Sequence, residues 1–223
     1  YKIALNIAEE IALNWRISWM VYTIGDYYTR HGHYDKALDN YNRLFEISED
    51  LDDEVDILHN IAYLYFHQGD YDKTLAYYYR AHKISEEIGS KYSIGKTLGN
   101  IGKTYLYQGE YIKALEYNTR ALKIFEELGD KFAVAKNQLS IGISYYYDTN
   151  SNYTLNKFQT VKYLEQVLSI VKEMGLDSDR IIWPTTFLFL SYTNLEMKYD
   201  VNEIHNLIKE TEDLNYYINF ALY

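Results

Sequence analysis

Apolar residues recur along this chain with the period of an α-helix, and glycines cut the pattern into short runs. Leu98, Ile101, Gly102 and Tyr105 fall at i, i+3, i+4 and i+7, one face of a 3.6-residue period. Gly109 interrupts that face. Tyr111, Ala114, Leu115, Ala121, Leu122 and Leu128 then continue a second amphipathic run, and Gly129 follows it where a left-handed cap favours glycine. The spacing predicts two helices joined by a tight turn.

The same unit returns along the chain. Gly32-His33-Tyr34-Asp35-Lys36-Ala37-Leu38 reappears as Gly69-Asp70-Tyr71-Asp72-Lys73-Thr74-Leu75 and as Gly109-Glu110-Tyr111-Ile112-Lys113-Ala114-Leu115, in steps of 37 and 40 residues. A second landmark keeps phase with the first. Ile84-Ser85-Glu86-Glu87-Ile88-Gly89 matches Ile124-Phe125-Glu126-Glu127-Leu128-Gly129, more loosely Ile170–Gly175, and also Ile7-Ala8-Glu9-Glu10-Ile11-Ala12. Two landmarks in constant phase define a repeat. Gly25, Ala62, Gly102 and Gly142 occupy one equivalent position, small enough for a neighbouring helix to approach closely.

The phase organises all 223 residues as one solenoid. Residues 1–13 read as the second helix of a partial repeat, and repeats cover 15–50, 53–89, 91–129 and 131–175. The last of these is stretched by a polar loop at Asp148–Tyr153. A divergent pair is expected over 180–214, with Pro184 in its first helical turn, and residues 215–223 would start a further helix. Both ends are expected to lie within a longer solenoid, since terminal repeats normally carry a polar outer face.

These motifs resemble the tetratricopeptide repeat family. Its Leu-Gly-x-x-Tyr core is represented by Ile101-Gly102-Lys103-Thr104-Tyr105 and Ile24-Gly25-Asp26-Tyr27-Tyr28, and its turn by Gln68-Gly69-Asp70-Tyr71 and Gln108-Gly109-Glu110-Tyr111. The small residue after the turn is Ala37 or Ala114. The proline that closes the 34-residue unit is missing and the second helix is longer, as in the variant of about 40 residues found in kinesin light chains and bacterial signalling proteins. Asn118 stands where Tyr41 and Tyr78 supply the usual aromatic. The resemblance implies an all-α, right-handed superhelical solenoid of antiparallel helix pairs, with the first helix of each pair lining a concave groove.

Composition narrows the function. The net charge of −10 argues against non-specific binding to nucleic acid or an anionic membrane, and the absence of cysteine removes disulfides and thiolate metal sites. With no signal peptide or spanning segment read from the sequence, a cytoplasmic location is expected. Gly95-Lys96-Thr97 and Gly102-Lys103-Thr104 lack the upstream glycine of a phosphate loop and fall inside helical periodicity. His31 and His33 have no further ligands at metal spacing. The paired acids Glu9-Glu10, Glu86-Glu87 and Glu126-Glu127 repeat in phase as a solvated outer face. No enzyme activity, cofactor or metal is expected.

Mapping through the Gly/Ala position gives the groove lining that the resemblance implies. The first repeat offers Trp19, Tyr22, Thr23, Asp26, Thr29 and Arg30; the second Asp56, His59, Asn60, Tyr63, Phe66 and His67. The third offers Lys96, Gly99, Asn100, Lys103, Leu106 and Tyr107; the fourth Lys136, Leu139, Ser140, Ile143, Tyr146 and Tyr147. The fifth adds Trp183, Thr186, Phe187, Leu190 and Asn194. Four bases (Arg30, Lys96, Lys103, Lys136) oppose two acids (Asp26, Asp56), so the lining of repeats one to four carries +2 on an acidic chain. Asn60 and Asn100 are suited to an extended peptide backbone, because an amide both donates and accepts. The expected function is protein–protein interaction with a peptide segment, possibly acidic. The alternative is a regulatory or oligomerising segment of a larger kinase- or cyclase-type signalling protein, self-associating through its ends.

Overall fold

A computed structural model describes residues 19–47, 51–149 and 153–175, all helix or short turn. The expected partial repeat at 1–13, the pair over 180–214 with Pro184 and the helix from 215 lie outside the described residues. Helix α1 covers 19–30, followed by α2 (Tyr34–Ile47), α3 (Leu51–His67), α4 (Tyr71–Glu87), α5 (Lys91–Tyr107), α6 (Tyr111–Leu128), α7 (Lys131–Tyr147) and α8 (Tyr153–Glu173). The chain divides into two compact units, one ending at Thr97 and the other beginning at Leu98, so the division falls within α5.

Both landmark glycines are turns of the same kind. Gly32, Gly69 and Gly109 between paired helices, and Gly89, Gly129 and Gly175 after them, all have φ between 61° and 78°. A side chain pays a steric penalty in that region. At the end of α6 the N–H of Gly129 reaches Glu126 O and that of Asp130 reaches Phe125 O, satisfying carbonyls that the helix leaves open. Asp70 and Asp130 then cap the following helices, accepting from Lys73 N at 3.1 Å and Ala133 N at 2.9 Å.

In the first unit α2 packs on α3 and α3 on α4. Ala37, Tyr41 and Leu44 of α2 cover Ile57, Ile61 and Leu64 of α3, while Ala81 and Ile84 of α4 and its C-cap Ile88 close over Val55 and Leu58. In the second unit α7 packs between α6 and α8. Its core gathers Ala135 and Leu139 with Val161, Leu164, Val167, Leu168 and Val171.

The conserved-size position works by complementarity. A Cβ on Gly25 would stand 2.8 Å from the Tyr41 ring, and one on Gly102 would stand 2.5 Å from the Asn118 amide. A methyl group at either position would force its neighbour to move. The shorter Asn118 is thus accommodated by close helix approach, and it is fully buried.

Among the described residues, three pairs of tyrosines clamp the two helices of a repeat together. Tyr65 and Tyr77 stack with centroids 5.5 Å apart and planes at 16°; Tyr105 and Tyr117 do so at 5.5 Å and 28°. Lys73 and Arg80 cap the first pair at 4.9 and 5.7 Å, and Lys113 and Arg120 the second at 5.2 and 5.5 Å. Tyr145 and Tyr163 repeat the stack in the fourth pair at 6.1 Å.

Candidate functional site

On each first helix of a pair, residues at i, i+4, i+7 and i+11 form one stripe along the helix. These are Trp19, Thr23, Asp26 and Arg30 on α1, and Asp56, Asn60, Tyr63 and His67 on α3. The corresponding residues are Lys96, Asn100, Lys103 and Tyr107 on α5, and Lys136, Ser140, Ile143 and Tyr147 on α7. All are exposed or half-buried. The fifth-repeat set (Trp183, Thr186, Phe187, Leu190, Asn194) lies outside the described residues.

In the first unit the charges on this stripe are matched. Arg30 pairs with Asp26 at 2.9 Å along α1. Lys96 donates to Asp56 at 2.8 Å across forty residues of sequence. Trp19 is exposed, and the exposed Tyr63 ring meets His67 edge-on at 4.3 Å. Phe66 turns toward Tyr71, 5.6 Å away, and is half-buried.

His59 is not on the open face. It is buried, with Nε2 2.7 Å from the Thr97 hydroxyl and its ring edge-on to Tyr78. It forms the seam between α3 and the start of α5. The equivalent seam in the second unit is Gly99 against Asn137, where a Cβ on Gly99 would meet Asn137 Oδ1 at 2.7 Å. Large against small in one seam becomes small against large in the next. Tyr22 shares the register of His59 yet is exposed, and Thr29 is buried with its hydroxyl on Gly25 O.

In the second unit the stripe is basic and aromatic. Lys103 is half-buried, with Nζ 5.7 Å from the centre of the Tyr107 ring, and burial holds its pKa below the usual lysine range. Lys136 is exposed; Ser140 Oγ donates to the Lys136 carbonyl at 3.3 Å. Tyr107 and Tyr147 are exposed, and Tyr147 stacks on Tyr111 at 5.9 Å while meeting Tyr146 edge-on. Ile143, Leu139 and Tyr146 pack on the Val161–Leu164–Leu168 core, so only their outer edges contribute.

Two exposed aromatics flank the stripe outside the sequence mapping. Tyr92 and Phe132 lie one turn before Lys96 and Lys136 and are exposed. Their own spacing of 40 residues was the available signal. Also missed was Lys157, which is buried with its ammonium 3.8 Å over the Tyr146 ring. Beside it Asn156 donates to Asp148 O at 2.8 Å and to its carboxylate at 3.2 Å, anchoring the start of the connection that replaces a glycine turn.

The other strings form no site. Both Gly-Lys-Thr strings lie inside α5, with the Thr97 and Thr104 hydroxyls returned to the carbonyls of Ser93 and Asn100. His31 Nδ1 lies 2.8 Å from Tyr27 O. Among the described residues there is no group of three or more His, Cys, Asp or Glu that could hold a metal ion, and no helix long and apolar enough to cross a membrane.

Residues 53–127 match the tetratricopeptide repeat family model. No curated protein matches the sequence. Among solved structures the chain resembles BtubC (BKLC) from P. vanneervenii, at 20% identity and a TM-score of 0.73 over 98% of this chain and 87% of that one. It also resembles a Rap protein in complex with Competence and Sporulation Factor, at 19% identity and a TM-score of 0.72 over 92% of this chain. The chain spans 57% of the length of that Rap protein. The kinesin light chain-like repeats of Podosopora anserina match at 13% identity and a TM-score of 0.63, over 89% of this chain and 95% of that one. The shared feature is the fold, an all-α solenoid of stacked helix pairs.

Proposed function

The chain carries tetratricopeptide repeats, and from that premise we propose that it is a non-enzymatic interaction module. Its ligand is a segment of a partner protein, bound on the open stripes of its first helices. The observation that carries the reading is the distribution of charge. In the first unit each stripe acid is bound by a base, leaving Trp19, Tyr63 and His67 as the accessible surface beside neutral ion pairs. In the second unit Lys103 and Lys136 stand among Asn100, Ser140, Tyr107, Phe132 and Tyr147 with no acid on the stripe, in a chain of −10.

That surface suits an acidic segment. The ammonium groups attract its carboxylates, the Asn100 amide can both donate to and accept from a main chain, and the flat aromatic rings add contact at low entropic cost. Asn60 offers the same amide chemistry in the first unit. The Rap relative, solved with a bound factor, supports the view that this fold holds a partner molecule.

The test is an array of 15-residue peptides graded in net charge, probed with the full chain and with a Lys103→Glu/Lys136→Glu variant. Acidic peptides should be retained by the native chain and lost by the variant, with helicity unchanged. Equal binding by both proteins, or no preference for acidic peptides, would sink the reading.

A further inference from the structure

Two positions of the repeat change character between the units. The residue that closes the stripe of each first helix is Arg30 and His67 in the first unit, but Tyr107 and Tyr147 in the second. The residue three after the turn glycine is Asp35 and Asp72 in the first unit, but Ile112 in the second. Phe158 takes that place in the fourth repeat, 46 residues after Ile112, as Gly175 is 46 after Gly129. All of these residues are exposed. Charged or polar in the first unit, both positions are aromatic or aliphatic in the second.

The substituted residues share one edge of the second unit, where α6 and α8 start and α7 ends. Tyr111 at the start of α6 stacks on Tyr147 at the end of α7, with centroids 5.9 Å apart and planes at 18°. Asn156 in the first turn of α8 donates to Asp148, just past α7. Ile112 follows Tyr111 and is 62% exposed. Leu155 and Phe158, at i and i+3 on the first turns of α8, are 53% and 52% exposed. Large apolar side chains left open along one edge are the mark of a docking surface. The charges flanking Ile112, on Glu110 and Lys113, pair with each other at 3.4 Å.

We propose that this edge is the second half of the partner site. The acidic segment held on the stripe continues into an apolar stretch, whose large side chains pack on Ile112, Leu155 and Phe158. This rests on the acidic-segment reading above. Continuity carries it: Tyr107 and Tyr147 are the last members of the stripe, and the stack of Tyr147 on Tyr111 leads from the stripe to Ile112. Lys103 and Lys136 draw carboxylates to the stripe, whereas the Glu110–Lys113 pair beside Ile112 is neutral, so the edge holds its part by packing. The first unit, with Asp35 and Asp72 in the same places, offers the apolar stretch nothing to pack against.

Fluorescence anisotropy of the full chain tests this with two kinds of synthetic peptide. One is a plain glutamate–serine peptide; the other is the same peptide extended at its N- or C-terminal end by leucine and phenylalanine. The native chain should bind one extended peptide at least about tenfold more tightly than the plain one, the gain from burying a single large apolar side chain. Ile112→Asn/Phe158→Asn, at two exposed positions and with no change of charge, should abolish that gain and leave the plain peptide's affinity unchanged. The failures separate. A plain peptide that does not bind overturns the acidic-segment reading and this inference with it. A plain peptide that binds, with no gain from either extension, overturns the edge alone, as does a gain that survives in the variant. Sedimentation tests the other occupant: a native dimer that the variant dissociates would assign the edge to a second copy of the chain and overturn the proposal.

Discussion

His59 and Thr97, 38 residues apart in sequence, share a buried hydrogen bond of 2.7 Å. The Thr97 hydroxyl spends its own proton on Ser93 O, also at 2.7 Å, so it accepts from His59 and the ring carries its proton on Nε2. This bond ties consecutive repeats together. Thr97→Val leaves the His59 N–H without its hydroxyl acceptor inside the seam, an expected loss of about 1–3 kcal/mol. Urea unfolding measures it, and an unchanged midpoint would show that the bond carries no stability.

The close packing of Gly25 on Tyr41 predicts a reversal of the usual helix preference. Alanine in place of a helical glycine normally gains up to about 1 kcal/mol. Gly25→Ala should instead destabilise by about 1–3 kcal/mol, because its methyl would stand 2.8 Å from the ring. Combining it with Tyr41→Leu should recover part of the loss in a double-mutant cycle.

Asn118 predicts a stabilising change. Its amide donates to Ala114 O at 2.8 Å, but its buried Oδ1 accepts no hydrogen bond. Leucine has the same branching and number of side-chain heavy atoms and removes the unsatisfied carbonyl, a gain that should outweigh fitting its bulkier methyl groups beside Gly102. Asn118→Leu should therefore raise stability by about 1 kcal/mol, seen as a higher thermal midpoint. A lower midpoint would mean that the amide serves a need not visible in its contacts.

Partner binding should depend on pH through Lys103. Burial lowers its pKa, so as pH rises the ammonium is lost there before it is lost from an ordinary lysine. Affinity for an acidic peptide should fall over that alkaline range. Lys103→Arg, which stays charged throughout, should abolish the fall. A native profile that is flat to the end of the lysine range would remove Lys103 from the contact.

The stack of Tyr65 on Tyr77 should be energetically coupled by about 0.5–1.5 kcal/mol. A cycle of Tyr65→Leu and Tyr77→Leu measures that term apart from the apolar area each change removes. Strict additivity would reduce the tyrosine clamp to simple burial.

Much of the fold was legible because its determinants are local. Gly32, Gly69 and Gly109 occur where the backbone must turn left-handed, and the apolar period between them is helical. The open stripe was partly legible for the same reason: Lys96, Asn100, Lys103 and Tyr107 recur one or two turns apart on a single helix. Tyr92 and Phe132 had the same periodicity and were missed because they precede the matched motif by one turn. His59 was misplaced for a different reason. It lies only one position from Asn60, and the boundary between open face and seam depends on where the next helix sits.

Sequence by itself therefore determined the period, the turns, the repeat phase and the complementary small and large positions. Each is a property of a residue and its near neighbours on one helix. Tertiary structure alone decided that His59 faces Thr97 rather than solvent, and that Lys96 pairs with Asp56. Helical periodicity gives the angle of a side chain about its own axis. The stacking of the next helix determines what that side chain meets.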